Sequence, residues 1–384
     1  MKIMLVAAEA SGDALGAGLA KALRERRPSA VFVGVGGPKM AAEGVESPFD
    51  IAELSILGWL EGLRAYGRVK ARVADTVALA VREQPDAVVL IDSWGFTIRV
   101  AKAIREVLPD VPLIKYVGPQ VWASRPGRAK TLANAVDHLL ALYAFDAPWF
   151  EREGLPTTVV GSQALHVDMR KADPARFRAS RGIAAEAPLL LVLPGSRPSE
   201  IRLMMPVYEA AIARLKAERS DLIVSLVVAG TVADDVTARV AAWPFRVDLV
   251  SEADKYVAMK AATVALATSG TVSTELALAG APMVIGYRFA PLSYAIMKPF
   301  FTGKYATLFN HAADAEIARE LIQADATPEK VAAEVGRLLD DPAARAAQAR
   351  RQTEALDLMG RGGRDPSELA AEAVLKVIAD KAAR

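Results

Sequence analysis

The stretch MKIMLVAAEASGDALGAGLAKALRE (1–25) decides how the fold is read. Residues 2–8 form a short apolar run of the kind that makes a buried β-strand, and Glu9 ends it abruptly. Residues 15–25 then bring Leu and Ala back at helical spacing. A strand, a small-residue loop and a helix in immediate succession make the first half of a βαβ unit. The same order recurs along the chain. Runs at 31–36, 87–92, 112–118, 138–143 and 157–161 read as further strands, with helical stretches such as 67–83 and 98–107 between them. Runs that are apolar on both faces predict a parallel sheet covered on both sides.

After a polar, proline-containing stretch at 166–188 the pattern restarts. Strands are predicted at 189–193, 222–229, 246–250, 263–267 and 283–287, and helices at about 199–218, 232–242, 254–261 and 271–279. The tail from about residue 328 is helical, charged and alanine-rich. The expectation is an α/β protein of two doubly wound Rossmann-like domains, 1–165 and 166–345, with a ligand cleft between them. A helical tail, 346–384, either packs back on the first domain or exchanges with a partner in a homodimer.

Composition narrows the function. The 384 residues carry a net charge of +2, which argues against a nucleic-acid binder. There is no cysteine, which excludes disulfide scaffolds, thiolate metal sites and thiol nucleophiles. With three histidines (His138, His166, His311) a histidine-rich metal centre is not expected, and neither a metal nor a cofactor is assigned. No uncharged apolar stretch reaches the ~18 residues of a spanning helix, so a cytoplasmic protein is expected. The mean hydropathy of +0.21 is high for such a chain.

Four loops at carboxyl ends of predicted strands carry the chemistry. The first holds Glu9, Ser11 and Asp13 and either lines a ligand site or caps a helix. Asp92 ends the run 87–92, where a carboxylate is placed either to act as a general base or to cap the next helix. Pro194-Gly195-Ser196-Arg197 precedes a helix whose positive N-terminal end suits an anion, with Arg197 able to fork onto phosphate. Ser269, Gly270 and Thr271 repeat that arrangement, and Glu275 lies one turn further on, in reach of ribose hydroxyls. Two anion loops in one domain point to a nucleoside diphosphate. The glycines of 34–37 lack dinucleotide spacing.

Two segments read as lipid-facing. In residues 54–72, Leu57, Trp59, Leu60 and Leu63 form an apolar stripe, and Arg64, Arg68, Lys70 and Arg72 oppose one acid, Glu61. That pattern suits a helix lying on an anionic membrane surface. Residues 287–305 are similarly aromatic and basic.

The assembled loops resemble the lipid-A-disaccharide synthase family of GT-B glycosyltransferases. The resemblance runs through AEASGDALGAGL (8–19), GVGGPKMAAEG (34–44), LGWLEGL (57–63), YVGPQVWASRPGR (116–128), LPGSRPSEI (193–201), TSGTVSTELALAGAPMVIGYR (268–288) and TLFN (307–310). It implies transfer of 2,3-diacylglucosamine from UDP to 2,3-diacylglucosamine 1-phosphate, with inversion, in lipopolysaccharide synthesis. The implied location is the inner face of the cytoplasmic membrane. Under it Asp92 looks like the base and Arg197 like the cation that stabilises the departing diphosphate. Ser269, Gly270 and Thr271 would hold that diphosphate, Glu275 the ribose, and Asn310 would line the nucleotide or sugar pocket. Glu9, Ser11 and Asp13 would face the acceptor.

The chain departs from the family pattern mostly in its first half. Trp94-Gly95-Phe96-Thr97 stands where the family has Pro-Asp-Phe-Asn, and Gly118, Gln120, Ser124, Ser162 and Gln163 replace other motif residues. The alternatives are therefore a paralogous transferase with another lipid acceptor, a UDP-sugar 2-epimerase, and a non-catalytic lipid or nucleotide binder.

Overall fold

The structure is a computed structural model that describes residues 1–54 and 62–383, with backbone alone at 62–66, 292 and 293. It divides into two compact units. One comprises Met1–Gln163 with Gly363–Arg384, the other Ala164–Gly362. The stretch 346–384, read above as one tail, is thus divided. Its first helix, Pro342–Leu358, belongs with the second unit, and its last, Pro366–Ala382, with the first.

The first unit is built on six parallel strands: β1 (Lys2–Ala7), β2 (Val31–Val35), β3 (Ala87–Ile91), β4 (Leu113–Tyr116), β5 (His138–Ala141) and β6 (Thr157–Val159). Their spatial order is β2-β1-β3-β4-β5-β6. Alternation along β1 splits its side chains between two cores. Ile3, Leu5 and Ala7 meet Leu19 and Leu23 of helix Ala10–Arg26 together with Ala370 and Val374 of the last helix. Met4 and Val6 pack on the other face with Val100 and Ile104 of helix Trp94–Val107. Burying each such side chain contributes about 1.5–3 kcal/mol. Polar contacts seat the last helix: Gln163 Nε2 donates to Ser367 Oγ at 2.9 Å, and Arg26 pairs with Glu372 at 2.9 Å.

The second unit repeats the plan with β7 (Leu189–Leu193), β8 (Ile223–Val228), β9 (Asp248–Ser251), β10 (Val264–Thr268), β11 (Met283–Tyr287) and β12 (Arg319–Ile322). The order is β12-β11-β10-β7-β8-β9, again all parallel. The doubly wound α/β expectation holds in both units. Eleven of the strands lie where the apolar runs predict them; β12 does not. Residues Arg319–Ile322 are rich in helix formers, and the strand pairs on one side only, with β11. A four-residue edge strand leaves too little apolar pattern to be read. No helix among the described residues is long and apolar enough to cross a membrane.

Val374 is fully buried against β1 and helix Ala10–Arg26. Val374→Asp places a carboxylate in that apolar face and is expected to destabilise the first unit by about 3 kcal/mol or more. Thermal unfolding would show it, and an unchanged Tm would mean the last helix does not complete this core.

Candidate active site

In a doubly wound sheet, ligands collect where neighbouring strands send their chains in opposite directions. The strand orders put that point between β1 and β3 in the first unit and between β7 and β10 in the second. The loops singled out by sequence are the ones that leave these four strands.

In the second unit the loops after β7 and β10 border a recess of about 310 Å³, whose lining includes Arg197, Lys255, Ser269, Gly270, Thr271 and Glu275. Thr268 Oγ1 donates to the Pro194 carbonyl at 2.9 Å and joins the two loops. Tyr208, buried beneath them, has its hydroxyl 3.1 Å from Thr268 Oγ1. Glu200 shapes the Arg197 loop from inside. Its Oε2 accepts from the Ser196 and Arg197 N–H groups at 3.0 and 3.3 Å, and its Oε1 takes Arg197 Nη1 at 2.8 Å. Gly195 has φ +117°, and a Cβ there would lie 2.5 Å from Glu200 Oε2, so only glycine fits. The Arg197 side chain is 73% exposed while the Glu200 side chain is 6% exposed. The guanidinium is therefore tethered at one nitrogen and presented outward.

In the same lining, Glu275 Oε1 accepts Lys255 Nζ at 2.9 Å and Tyr256 OH at 3.0 Å. Burial pulls the Lys255 pKa down, but the hydrogen bond and charge of Glu275 outweigh it and the net shift is upward. Glu275 is thereby fixed through Oε1. Sequence reasoning missed Lys255 and Tyr256. Their one signal was position, since helix Lys255–Ala261 starts just past the carboxyl end of β9.

Asn310 was expected at the nucleotide or sugar pocket. Its side chain is fully buried. Its Nδ2 donates to the Ala318 carbonyl and Glu320 Oε1, and its Oδ1 accepts from the Ile317 and Ala318 N–H groups. Both donors and both acceptor positions are engaged within the protein. Its work here is to hold the turn that carries residues 307–310 against β12.

In the first unit, Asp92 follows β3 and Ser11 Oγ donates to its Oδ2 at 3.0 Å. Glu9, on the same loop as Ser11, is exposed. Asp13 was expected on the acceptor side. It is buried, and its carboxylate accepts the N–H groups of Gly37, Lys39 and Met40 at 2.8, 3.0 and 2.9 Å. It caps helix Pro38–Ala42. Asp92 and Ser93 both adopt left-handed backbone, φ 49° and 39°, at the turn from β3 into helix Trp94–Val107.

Beneath that turn lies Lys115 of β4, a residue that sequence reasoning did not single out. Burial pushes its ammonium down to about 7, against the pull of the Asp92 and Glu9 carboxylates. Further along the same edge, Trp122 Nε1 donates to Asp146 Oδ1 at 3.0 Å, and burial raises this carboxyl to about 6. His138 is held in the sheet by Thr158, 2.8 Å from Nε2.

Of the lipid-facing stripe, Leu57, Trp59 and Leu60 lie outside the described residues, as do the side chains of Leu63 and Arg64. Arg68 is exposed. In the second aromatic segment Phe289 packs on Tyr287 and Phe301 at 4.7 and 5.5 Å between ring centres. Ile296, Phe300 and Phe301 are 43%, 45% and 38% exposed.

Comparison with known proteins decides among the readings. The family model described as lipid-A-disaccharide synthetase matches residues 3–374. The chain belongs to the lipid-A-disaccharide synthase family. It is 44% identical to the lipid-A-disaccharide synthase of Rhodospirillum centenum, covering 98% of this chain and 94% of that one. It is 42% identical to that of Paramagnetospirillum magneticum, covering 98% of each. Among solved structures, the S. aureus MnaA–UDP complex superposes with a TM-score of 0.63 at 15% identity over 97% of this chain and 94% of that chain. The kitacinnamycin glycosyltransferase does so with 0.61 at 17% identity over 98% of each. These two likenesses show the fold, which in this family is the GT-B arrangement of two Rossmann-like units.

The buried lysine has a measurable consequence. Between about pH 7 and the ordinary lysine value the unfolded chain holds a proton that folded Lys115 lacks, so this residue makes stability rise with pH there. Below about pH 7 the whole cost of burying the cation is present. Lys115→Met removes it. The Tm advantage of that variant over the parent is expected to be larger at about pH 6 than at about pH 10. A difference that does not vary with pH would contradict the burial of a titrating amine.

Proposed function

We propose that the protein transfers 2,3-diacylglucosamine from UDP to the 6-hydroxyl of 2,3-diacylglucosamine 1-phosphate, giving the β-1′,6-linked disaccharide 1-phosphate and UDP. The observation that carries this reading is the family match along residues 3–374. The recess of the second unit, lined by Arg197 and Glu275 among others, supports a nucleoside diphosphate as the donor's handle.

Asp92 takes the proton of the acceptor hydroxyl as that oxygen attacks the anomeric carbon. The bond from that carbon to the diphosphate breaks on the opposite face, and its electron pair leaves with UDP, so one displacement inverts the centre. A positioned general base contributes about 10²–10⁴-fold. Arg197 and the N-terminal ends of helices Pro198–Glu218 and Thr271–Leu278 stabilise the charge developing on the diphosphate. Ser269 and Thr271 add hydroxyl donors, Gly270 opens the backbone to the phosphates, and Glu275 accepts from the ribose. Glu9 and Ser11 border the acceptor beside Asp92.

Acylated substrates have to be taken from a bilayer. Ile296, Phe300 and Phe301 stand exposed beside Lys298 and Lys304, an apolar and basic surface suited to an anionic leaflet. With the basic segment around Arg68 it supports a peripheral location on the cytoplasmic face of the inner membrane.

Purified protein given UDP-2,3-diacylglucosamine and the acylated glucosamine 1-phosphate is expected to release UDP and form disaccharide. Asp92→Asn should lose about 10²-fold or more in kcat while keeping UDP affinity. Formation of a 2-epimer of the UDP-sugar instead would replace this reading by the epimerase one. The double variant Phe300→Glu/Phe301→Glu is expected to weaken co-sedimentation with vesicles containing anionic phospholipid. Undiminished binding would remove this surface from the membrane contact.

A further inference from the structure

Strand β4, Leu113–Tyr116, is buried along its whole length, yet its third residue is a lysine. Lys115 is 2% exposed. Its Nζ donates to the backbone carbonyl of Asp92 and to Thr97 Oγ1, the latter at 2.9 Å. Thr97, itself fully buried, holds its Oγ1 2.9 and 3.0 Å from the carbonyl oxygens of Asp92 and Ser93. An ammonium and a hydroxyl therefore converge, from inside the sheet, on the two peptide groups that turn the chain out of β3.

That turn needs holding. Asp92 and Ser93 are consecutive non-glycine residues in left-handed backbone, an arrangement that persists only where its surroundings impose it. The Asp92 side chain leaves the first of them. A rotation of this peptide swings the carboxylate, and a displacement of ~1 Å at a reacting group can cost about 10²-fold in rate.

The fold has no need of the charge. A methionine has nearly the same length and shape, and Thr97 Oγ1 remains within hydrogen-bond distance of the Asp92 carbonyl after the exchange. Replacing a buried ion by an apolar side chain of similar volume is commonly neutral or stabilising.

We propose that Lys115 is a positioning residue for the transfer reaction, gripping the Asp92–Ser93 turn together with Thr97 and so aiming the Asp92 carboxylate at the acceptor. This rests on Asp92 being the base. The donor recess is made by residues of the other unit, so the effect falls on the chemical step and leaves UDP-sugar binding alone.

The test compares Lys115→Met, Thr97→Val, the double variant and Asp92→Asn for kcat, KM of the UDP-sugar, and Tm. Lys115→Met is expected to lose about 10–10²-fold in kcat. Its KM for the UDP-sugar should stay within about twofold of the parent and its Tm at or above the parent's. Thr97→Val should lower kcat in the same direction, and the double variant should lose less than the product of the two, since both act on one turn. If Asp92→Asn is inactive while Lys115→Met keeps the parent kcat, this proposal fails and the role of Asp92 stands. A fall in kcat accompanied by a lower Tm or a raised UDP-sugar KM would make Lys115 a structural residue and overturn it. A fully active Asp92→Asn would overturn the base reading and this one with it.

Discussion

Parallel pairing is the constraint from which the rest of this molecule follows. Each of the two sheets has six strands running the same way, so every connection must cross from one end of the sheet to the other. Winding outward in both directions from a central pair leaves one place per sheet where two loops diverge, between β1 and β3 and between β7 and β10. Loop backbone there is not covered by a neighbouring crossover. Helix N-termini point into the same space. Chemistry gathers at these points because they are where a tightly packed α/β unit has polar backbone to offer.

Polar groups at those points are held by other polar groups of the protein. Glu200 fastens the Arg197 loop through two backbone N–H groups and the guanidinium, and Gly195 supplies the backbone room. Lys255 and Tyr256 fasten one oxygen of Glu275. Lys115 and Thr97 fasten the turn that carries Asp92. In the Arg197 loop and at the Asp92 turn the tethering group, Glu200 or Lys115, is itself buried. Such preorganisation lets charge form on a substrate without prior rearrangement of the protein. The corresponding stability cost, clearest in the buried ammonium of Lys115, is carried by the apolar cores packed on the sheets.

Much of this was legible in the chain. Runs such as 87–92 and 189–193 are apolar without alternation because both faces are covered, and that alone signals parallel strands. The loops after them could be named because a ligand site at a strand's carboxyl end is a rule of topology. Asp13 and Asn310 show the limit. Each is a polar residue in a motif, and each is turned inward to satisfy backbone N–H groups. A carboxylate that caps a short helix and one that faces a sugar look alike in sequence, because the partner that distinguishes them is distant: Gly37 and Met40 for Asp13. Strand β12 escaped for a related reason, since its strand character comes from pairing with β11 and its residues by themselves favour helix.

By itself, then, the sequence determined what depends on local pattern: the parallel α/β class, the two units, the strand-end loops and the family they spell out. Tertiary structure alone decided which polar residues look outward, that the final helix completes the first unit while the one before it stays with the second, and that a lysine sits under Asp92. Periodicity is a property of neighbours in the chain, so it can be read along the chain. Burial of Lys115 and engagement of Asn310 are properties of neighbours in space, brought together from strands and helices that are far apart in sequence, and no local pattern encodes them.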